Sequence, residues 1–235
     1  MRQQDPQQTL KDSKLIACLP RGIRDEFVSR CKIRVYEPRE RILIAGDPII
    51  GPSWVEQGLV RVYLTGDTGE EHPLTFTWPG EVALPTFGSG PEWRADAKAV
   101  APTTHAAIPR VAFVDLAERN SAISLALLEY ATILVWRRQH WDAQLRALTL
   151  RPRILQILGR IADELGTPTA EGILLDFPLT HGTLACATVS SRDEASRAMR
   201  DLEEWGYYQS RPRHRILIPD RERLRTYVSP EQAEA

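Results

Sequence analysis

Cysteine and histidine are scarce in this chain of 235 residues, and no apolar run is long. The three cysteines, Cys18, Cys31 and Cys186, are widely spaced and include no CxxC pair, which argues against a disulfide framework and a zinc ribbon. The five histidines form no HxH or HExxH pattern, so no metal site is predicted. No apolar run approaches the roughly 20 residues that a membrane helix needs. These absences predict a cytoplasmic protein without membrane contact.

Neither sign of charge dominates the chain. Lysine and arginine total 30 against 31 aspartates and glutamates, which gives a formal net charge of -1. A nucleic-acid partner must therefore be held by a local basic face, because the whole molecule is not a polycation. The hydrophobic fraction of 43% is ordinary for a globular protein and excludes a mainly disordered chain.

The segment 33–108 consists of short β-type runs separated by glycine, proline and aspartate clusters. Runs of this length and spacing are typical of an antiparallel sandwich or barrel. Between two of the runs lies Gly66-Asp67-Thr68-Gly69, which predicts a hairpin turn because glycine tolerates a positive φ and aspartate caps its own backbone. The first half of the chain is therefore predicted to be mostly β.

The pattern changes at Asn120-Ser121, a good helix N-cap, after which no glycine or proline occurs before Pro152. A helix of about 27 residues extends for about 40 Å. Apolar residues recur along it in steps of three and four, a period of 3.5 residues. The predicted dimer seam consists of Leu127, Leu134, Trp141, Leu145 and Leu148. The alternative is a single amphipathic helix that lies on its own domain.

The stretch from Leu179 to Gly206 carries the most information about function. It is predicted to form a short helix, a tight turn and a second helix that is capped by Ser190 or Ser191. The second helix has one apolar face, formed by Ala195, Met199 and Leu202, which is expected to pack on Leu184 and Ala185 of the first helix. This is the layout of a recognition helix, whose back is held rigid while its front faces DNA.

The opposite face of the second helix is polar. The residues predicted to contact bases are Arg192, Asp193, Ser196 and Arg197. A basic hairpin follows and is predicted to be the wing of a winged helix, which grips phosphates. The predicted phosphate contacts are Thr180, Ser191, Arg200, Arg211, Arg213 and Arg215. The alternative for Asp193 and Arg197 is an ordinary surface ion pair at the i,i+4 spacing.

With these motifs, the chain resembles the CRP/FNR superfamily of bacterial transcription regulators. The stretch 179–206 fits the family's helix-turn-helix without a gap, and Gly58, Val60 and Val62 match its Gly-x-Val-x-Val strand. The resemblance implies an α+β fold with an N-terminal antiparallel, jelly-roll-like β-roll, a long dimerisation helix and a C-terminal winged helix-turn-helix. It also implies a homodimer, a palindromic site on double-stranded DNA, and RNA polymerase as a partner.

Two residues depart from the family pattern. Val189 stands where the family often has glycine in the turn, and Asp193 replaces the usual glutamate. The order Asp-x-x-Ser-Arg is similar to the FNR side of the family rather than to the CRP side, and this similarity implies a TTGA-like half-site.

The resemblance also predicts that cAMP does not bind. Leu84-Pro85 stands where cAMP-binding members place Gly-Glu for the ribose, and Arg94-Ala95 stands where they place Arg-Ser for the phosphate. Arg94, with the aromatic residues Trp78 and Phe87, forms a candidate effector pocket. Arg94 as an ordinary surface residue is the alternative.

No cofactor is identified from the sequence. His72 remains open as an axial haem ligand, although a lone histidine on a strand is more often an ordinary residue. An iron-sulfur cluster of the FNR type needs four thiolates, and only three distant cysteines exist. The sequence does not decide whether any of these cysteines has a redox role, nor the identity of the effector or whether one exists.

The sequence predicts a homodimeric, sequence-specific DNA-binding transcription regulator controlled by an effector or redox signal, and not an enzyme. Its predicted domains are a β-roll at 1–118, a dimerisation helix at 119–148 and a DNA-binding domain at 149–235. The alternative is a ligand-binding or enzymatic β-roll protein whose helical tail is an interaction module without DNA binding.

Overall fold

A computed structural model describes residue 10, residues 13–82 and residues 92–227. The chain divides into two compact units, Met1–Gln139 and His140–Ala235. In the first unit the elements, in chain order, are α1 (Lys14–Cys18), α2 (Arg24–Ser29), β1 (Lys32–Tyr36), β2 (Arg41–Leu43), β3 (Ser53–Gln57), β4 (Val60–Thr65), β5 (Glu71–Thr77), β6 (Asp96–Ala99), β7 (Thr103–Ala107) and α3 (Arg110–Arg119). Helix α4 (Ala122–Arg146) crosses the boundary between the units.

The strands of the first unit form two antiparallel sheets. One sheet has the order β1-β7-β3 and the other the order β2-β6-β4-β5. Strands β4 and β5 form the predicted hairpin, and Gly69 adopts a φ of 87° in its turn. The N-terminal antiparallel roll predicted from the short β-type runs is therefore confirmed.

The core of the first unit lies where one face of the roll meets the helices around it. Trp54 and Ile108 contribute from the roll, while Phe27, Leu116 and Ile123 contribute from helices α2, α3 and α4. All five side chains are buried almost completely. The inner face of α4 is therefore part of the same apolar core as the roll.

A polar contact reinforces this packing of α4 on the roll. The Tyr130 hydroxyl donates a 2.6 Å hydrogen bond to the carbonyl oxygen of Gly80. The helix begins as predicted, because the Asn120 side-chain oxygen accepts from the backbone N–H of Ala122 at 3.1 Å.

Four of the five residues of the predicted dimer seam are wholly or partly packed within their own chain. Leu127 and Leu134 are half-buried and pack against the core of the first unit. In the second unit, Arg160 lies 5.0 Å from the ring centre of Trp141, and Leu145 is buried. Leu127 and Leu134 thus pack partly on the first unit, and the contact of the five residues with a second copy stays a prediction.

A different face of α4 remains exposed. Leu125, Leu128, Val135 and Trp136 have between 51% and 64% of their surface accessible. They recur along the helix in steps of three, seven and one, and together they form an apolar stripe, which we call the α4 stripe. Exposed apolar stripes of this kind mark interaction surfaces.

The second unit contains the predicted helical domain and a small sheet. Its elements after α4 are α5 (Leu150–Leu165), β8 (Thr167–Thr169), β9 (Gly172–Leu175), α6 (His181–Thr188), α7 (Arg192–Glu204), β10 (Gln209–Arg211) and β11 (Arg215–Ile218). The sheet has the order β10-β11-β9-β8. Helix α5 buries an apolar stripe of Ile154, Leu158 and Ile161, and Gly166 is its C-cap.

Two of the cysteines lie against the core of the first unit. The Cys18 and Cys31 thiols donate to the carbonyl oxygens of Leu15 and Phe27 at 2.8 and 3.2 Å. Burial raises the pKa of Cys18, and it raises the pKa of Cys31 to about 12. Because the thiolate is the reactive form, this environment favours a packing role for both residues over a redox role.

His105 on β7 makes stability depend on pH. Burial lowers its pKa from 6.5 to about 4, and its Nε2 atom has no hydrogen-bond partner among the described residues. The unfolded chain binds the His105 proton more tightly than the folded chain does, so protonation favours unfolding. The stability of the fold with neutral His105 is therefore fully present above about pH 6.5 and is lost as the pH falls towards 4. The full loss is about 3 kcal/mol.

We expect His105→Gln to flatten the pH dependence of the free energy of unfolding between pH 6.5 and 4, measured by urea denaturation. The matched control is His72→Gln, because His72 is exposed on β5. An unchanged slope in His105→Gln would contradict this role of His105.

Candidate nucleic-acid interface

Helices α6 and α7 are joined by a tight turn with defined caps. Thr180 caps α6, since its side-chain oxygen accepts from the N–H of Thr183 at 3.1 Å. At the other end of α6, Val189 adopts φ 53° and ψ 51°, the left-handed conformation in which glycine is usual. The turn predicted at this valine therefore forms with the backbone of a glycine turn, and the Val189 side chain is exposed.

Ser191 and Glu194 form a reciprocal cap at the start of α7. The Glu194 N–H donates to the Ser191 side-chain oxygen at 3.2 Å, and the Ser191 N–H donates to a Glu194 carboxylate oxygen at 2.9 Å. This capping box decides between the two predicted caps in favour of Ser191. Ser191 and Thr180 both cap helices. The phosphate contacts of these two residues stay a prediction.

The back of α7 is buried as predicted. Ala195, Met199 and Leu202 have at most 1% of their surface accessible, and Leu184 of α6 is likewise buried. The Tyr208 hydroxyl donates to the Met199 carbonyl oxygen at 2.9 Å. These contacts fix the rotation of α7 about its own axis.

The front of α7 presents charges to solvent. Arg192, Asp193, Arg197 and Arg200 are exposed, while Ser196 is half-buried. Within the described parts of the chain, none of the three arginines has an ion-pair partner, and Asp193 does not pair with Arg197. The surface ion pair considered from the sequence therefore does not form, and these side chains remain available to a ligand.

His181 orients one of the predicted base-contacting residues. Its Nδ1 atom lies 2.7 Å from the Ser196 hydroxyl oxygen, which joins the first residue of α6 to the front of α7. Partial burial lowers the pKa of His181; the Glu203 carboxylate opposes this shift, and nearby His214 and Arg192 reinforce it. The sequence analysis missed this contact, because a histidine 15 residues away from a serine gives no periodic signal.

The predicted basic hairpin forms from β10 and β11, and two of its arginines are paired. Arg211 binds Glu171 at 2.6 Å, and Arg215 binds Asp176 at 2.7 Å. Arg213 lies at the tip in the left-handed conformation, with φ 63°. The two acidic partners were not identified from the sequence, because they lie about 40 residues away in the loops on either side of β9.

Arg153 is a second residue that the sequence analysis missed. Its guanidinium donates to three backbone carbonyl oxygens, those of Leu145 at 3.0 Å, Leu148 at 2.8 Å and Thr188 at 2.7 Å. The first two belong to the end of α4 and the loop after it, while Thr188 ends α6. This one side chain therefore ties the end of α4 to the turn of the helix-turn-helix.

The structure describes two of the three residues of the candidate effector pocket, which stays a prediction. Trp78 is buried at 4% exposure, Arg94 is exposed, and Phe87 lies outside the described residues. Neither Trp78 nor Arg94 lines the large cavity of the first unit. Trp78 follows β5 and packs as a core residue, while Arg94 lies on a loop that turns outward.

His72, the residue left open as a haem ligand, lies on β5. His72 is exposed, and its Nε2 atom lies 3.2 Å from Glu70. The described residues contain no group of three or more potential metal ligands. Among the helices in those same ranges, none combines the length and apolarity needed to cross a membrane.

Both halves of this arrangement match known protein families. Residues 33–120 match the cyclic nucleotide-binding domain, and residues 152–227 match the Crp-like helix-turn-helix domain. The chain belongs to the CRP/FNR superfamily of transcription regulators. Its place on the FNR side of the superfamily stays a prediction.

Relatives of this regulator share its fold at low sequence identity. The global nitrogen regulator of Nostoc sp. (strain PCC 7120) is 23% identical over 176 residues, which cover 73% of this chain and 78% of the relative. FixK2 from Bradyrhizobium japonicum has a TM-score of 0.63 at 20% identity, covering 83% and 96% of the two chains. A CRP-family regulator from Thermus thermophilus has a TM-score of 0.61 at 24% identity, covering 86% and 97%.

We expect His181→Ala to broaden the base preference of this regulator. Without the His181 hydrogen bond, worth about 0.5–1.5 kcal/mol, the Ser196 hydroxyl is free to rotate on the front of α7. Selection from random DNA followed by sequencing measures the preference. His72→Ala is the matched control, since His72 is exposed on β5 in the first unit. A motif as sharp in His181→Ala as in the native protein would contradict this role.

Proposed function

We propose that this protein is a homodimeric, sequence-specific DNA-binding transcription regulator that responds to an effector sensed by its first unit. One observation carries the proposal. Helix α7 has a fully buried apolar back and a front with three arginines that have no ion-pair partner in the described residues. A rigid helix with free guanidinium groups on one face suits binding in the major groove.

The chemistry of the front of α7 supports base reading. Arg192 and Arg197 can each donate twice to the O6 and N7 atoms of guanine, and Asp193 can accept from the N4 amino group of cytosine. Their position in the first turns of α7 matches the part of a recognition helix that enters the groove. A TTGA-like half-site, repeated as a palindrome, remains our proposal for the sequence that these residues read.

The wing divides its arginines between two roles. Arg211 and Arg215 bind Glu171 and Asp176, so these two arginines hold the hairpin against the rest of the unit. Arg213 at the tip has no ion-pair partner in the described part of the chain. We therefore propose Arg213 as the main phosphate contact of the wing, with Arg200 supporting it from α7.

The α4 stripe supports the homodimer. Leu125, Leu128, Val135 and Trp136 are exposed, and packing them against a second copy would bury apolar surface at about 25 cal/mol per Å2. A homodimer would carry two recognition helices, one for each half-site of a palindrome, and such half-sites lie about 34 Å apart on DNA. We propose this stripe as a dimer contact beside the predicted seam residues Leu127 and Leu134.

We further propose that cAMP is not the effector. The interior of the roll beside Ala95, Val62 and His105 holds a void of only about 10 Å3, which is the space of about one water molecule. Leu84-Pro85 lies outside the described residues.

We also propose a cytoplasmic location, RNA polymerase as a partner and no enzymatic activity. The exposed position of His72 gives no support to a haem cofactor.

The alternative function, a ligand-binding or enzymatic roll whose tail binds another protein, makes a different prediction about salt. Neutralised phosphates release counterions, so DNA affinity falls steeply as salt rises. Fluorescence anisotropy with a selected DNA site, repeated from low to high salt, tests the proposal. Weak binding that does not depend on sequence or salt would favour the alternative.

Arg197→Ala and Arg213→Ala separate base reading from phosphate binding. We expect Arg197→Ala to cost about 1–3 kcal/mol on the selected site and to flatten the preference at one base pair in each half-site. Arg213→Ala should weaken all sequences equally and make the salt slope shallower by about one unit. Selected motifs of equal sharpness from the native protein and Arg197→Ala would refute this assignment of the recognition helix.

Leu128→Asp tests the α4 stripe. A carboxylate at this position would be unpaired within an apolar dimer interface, so we expect dissociation to monomers and weaker DNA binding. Sedimentation measures the oligomeric state, and Val111→Asp is the control because Val111 is exposed on α3. A Leu128→Asp dimer as stable as the native one would eliminate the α4 stripe as the interface.

A further inference from the structure

The second unit contains a concave space of about 280 Å3 between the β10–β11 hairpin, the start of α6 and Met199 of α7. We call it the wing pocket. Its volume is close to the lower end of the range of about 300 to 1,000 Å3 that small-molecule sites span. The wing pocket therefore has room for one small molecule inside the DNA-binding unit itself.

The bottom of the wing pocket is apolar. Leu179, Met199, Tyr208 and Ile216 line it, and each of these side chains has at most 4% of its surface accessible. An apolar group that enters this space would leave water for a surface already shielded from it, which is favourable.

The mouth of the wing pocket is basic. The side chains that line it are at least partly exposed, and they are His181, Arg211, Arg213, His214 and Arg215. Among the described residues, no aspartate or glutamate contributes to the wall. The pocket thus combines an apolar bottom with hydrogen-bond donors suited to an anion at its mouth.

Part of this positive charge is uncompensated. Arg211 and Arg215 each bind a carboxylate through one terminal nitrogen, to Glu171 at 2.6 Å and to Asp176 at 2.7 Å. Both carboxylates are exposed, so these ion pairs are weak and the other guanidinium N–H groups remain to donate. Arg213 has no ion-pair partner in the described part of the chain.

Glu203 of α7 is the carboxylate that opposes an anion here. Its two oxygens accept from the Ser210 N–H at 2.6 Å and from the Ser210 hydroxyl at 2.9 Å. Glu203 acts on His181 in one direction, and Arg192, Arg200 and His214 act on it in the other. The surroundings of His181 therefore carry more positive than negative charge, even before Arg213 is counted.

The wing tip is held in a strained form that shapes the mouth. Arg213 and His214 both adopt left-handed backbone conformations, with φ of 63° and 58°, which residues other than glycine rarely adopt in succession. The His214 carbonyl oxygen accepts from the Leu179 N–H at 2.9 Å, which ties the tip to the residue before the cap of α6. Strain of this kind is concentrated at ligand sites, and here it fixes the pocket before a ligand arrives.

We propose that the wing pocket binds a small phosphate monoester, with the phosphate at the basic mouth and an apolar group at the bottom. A phosphate monoester carries a charge of about -1.5 to -2 at pH 7, and guanidinium groups match its oxygens in pairs. A phosphate of the DNA backbone is flanked by sugars on a continuous strand, so it can reach the mouth without filling the bottom.

A phosphate monoester in the wing pocket would compete with DNA. It would occupy Arg213, which we propose as the main phosphate contact of the wing, and His181, whose Nδ1 atom lies 2.7 Å from the Ser196 hydroxyl. The competition rests on the proposed function, whereas the binding follows from the pocket alone.

Calorimetric titration of the full chain with phenyl phosphate, inorganic phosphate and phenol, at one ionic strength, tests the ligand class. Inorganic phosphate lacks the apolar group, and phenol lacks the charge. We expect saturable binding of phenyl phosphate at one molecule per chain, with each of the other two weaker by more than about tenfold. No saturable binding of phenyl phosphate, or equal affinity for either comparison compound, overturns the proposal; equal affinity for inorganic phosphate would assign the mouth to DNA phosphates alone.

Ser210→Phe and Arg213→Ala test the location. Ser210 lines the pocket from β10, so phenylalanine there would fill it, while Arg213→Ala removes a cation from the mouth. We expect each variant to bind phenyl phosphate more than about tenfold more weakly. The control is Gln209→Phe, because Gln209 is exposed on the same strand and does not line the pocket. Undiminished binding by either variant overturns the location, and if circular dichroism shows that Ser210→Phe is unfolded, Arg213→Ala alone decides.

DNA anisotropy with and without phenyl phosphate, at constant ionic strength, separates this inference from the proposed function. We expect phenyl phosphate to weaken binding of the selected site by the native protein. Arg197→Ala should bind DNA more weakly but phenyl phosphate as the native protein does, since Arg197 does not line the pocket.

The outcomes of these titrations are distinguishable. Intact DNA binding without phenyl phosphate binding contradicts the wing pocket alone, whereas phenyl phosphate binding without any DNA binding contradicts the proposed function alone. Binding of both, with no effect of phenyl phosphate on the affinity for DNA, overturns the competition.

Discussion

The buried apolar back of α7 is the constraint on which the candidate interface depends. Ala195, Met199 and Leu202 are nearly inaccessible, and a helix that buries one stripe must expose the opposite one. The orientation of the polar front therefore follows from the packing behind it. The Ser191 and Glu194 capping box fixes where the helix starts, so both the rotation of α7 and its first turn are defined before any ligand is present.

Ion pairs within the chain determine which of its arginines are available to bind a ligand. Arg211, Arg215 and Arg138 each have a carboxylate partner within the chain. Exposed pairs of this kind add little stability. They neutralise arginines that a count of basic residues alone would assign to DNA or to an effector. The guanidinium groups of Arg197 and Arg213 have no ion-pair partner among the described residues and keep their hydrogen-bonding capacity.

Helix α4 serves three surfaces at once. One face, with Ile123 and Leu134, belongs to the core of the first unit, and a second face is the exposed α4 stripe. Arg138 and other residues of α4 also line a cavity of about 430 Å3 in the first unit. At its far end, within the second unit, Arg153 ties α4 to the helix-turn-helix.

Local patterns in the sequence determined most elements of this protein. The hairpin at Gly69, the start of α4 at Asn120 and the apolar back of α7 follow from turn chemistry, capping and helical period, all of which act within a few residues. The helix-turn-helix was recognisable for the same reason.

The tertiary structure alone decided which side of α4 faces the core and where the cavity lies. It also decided which arginines are paired and that His181 holds Ser196. These features join residues between 15 and about 60 positions apart, and no periodic pattern connects side chains over such distances. An apolar residue on α4 has the same local signature whether its partner is the roll, a second copy or a ligand, so only the packed chain distinguishes them.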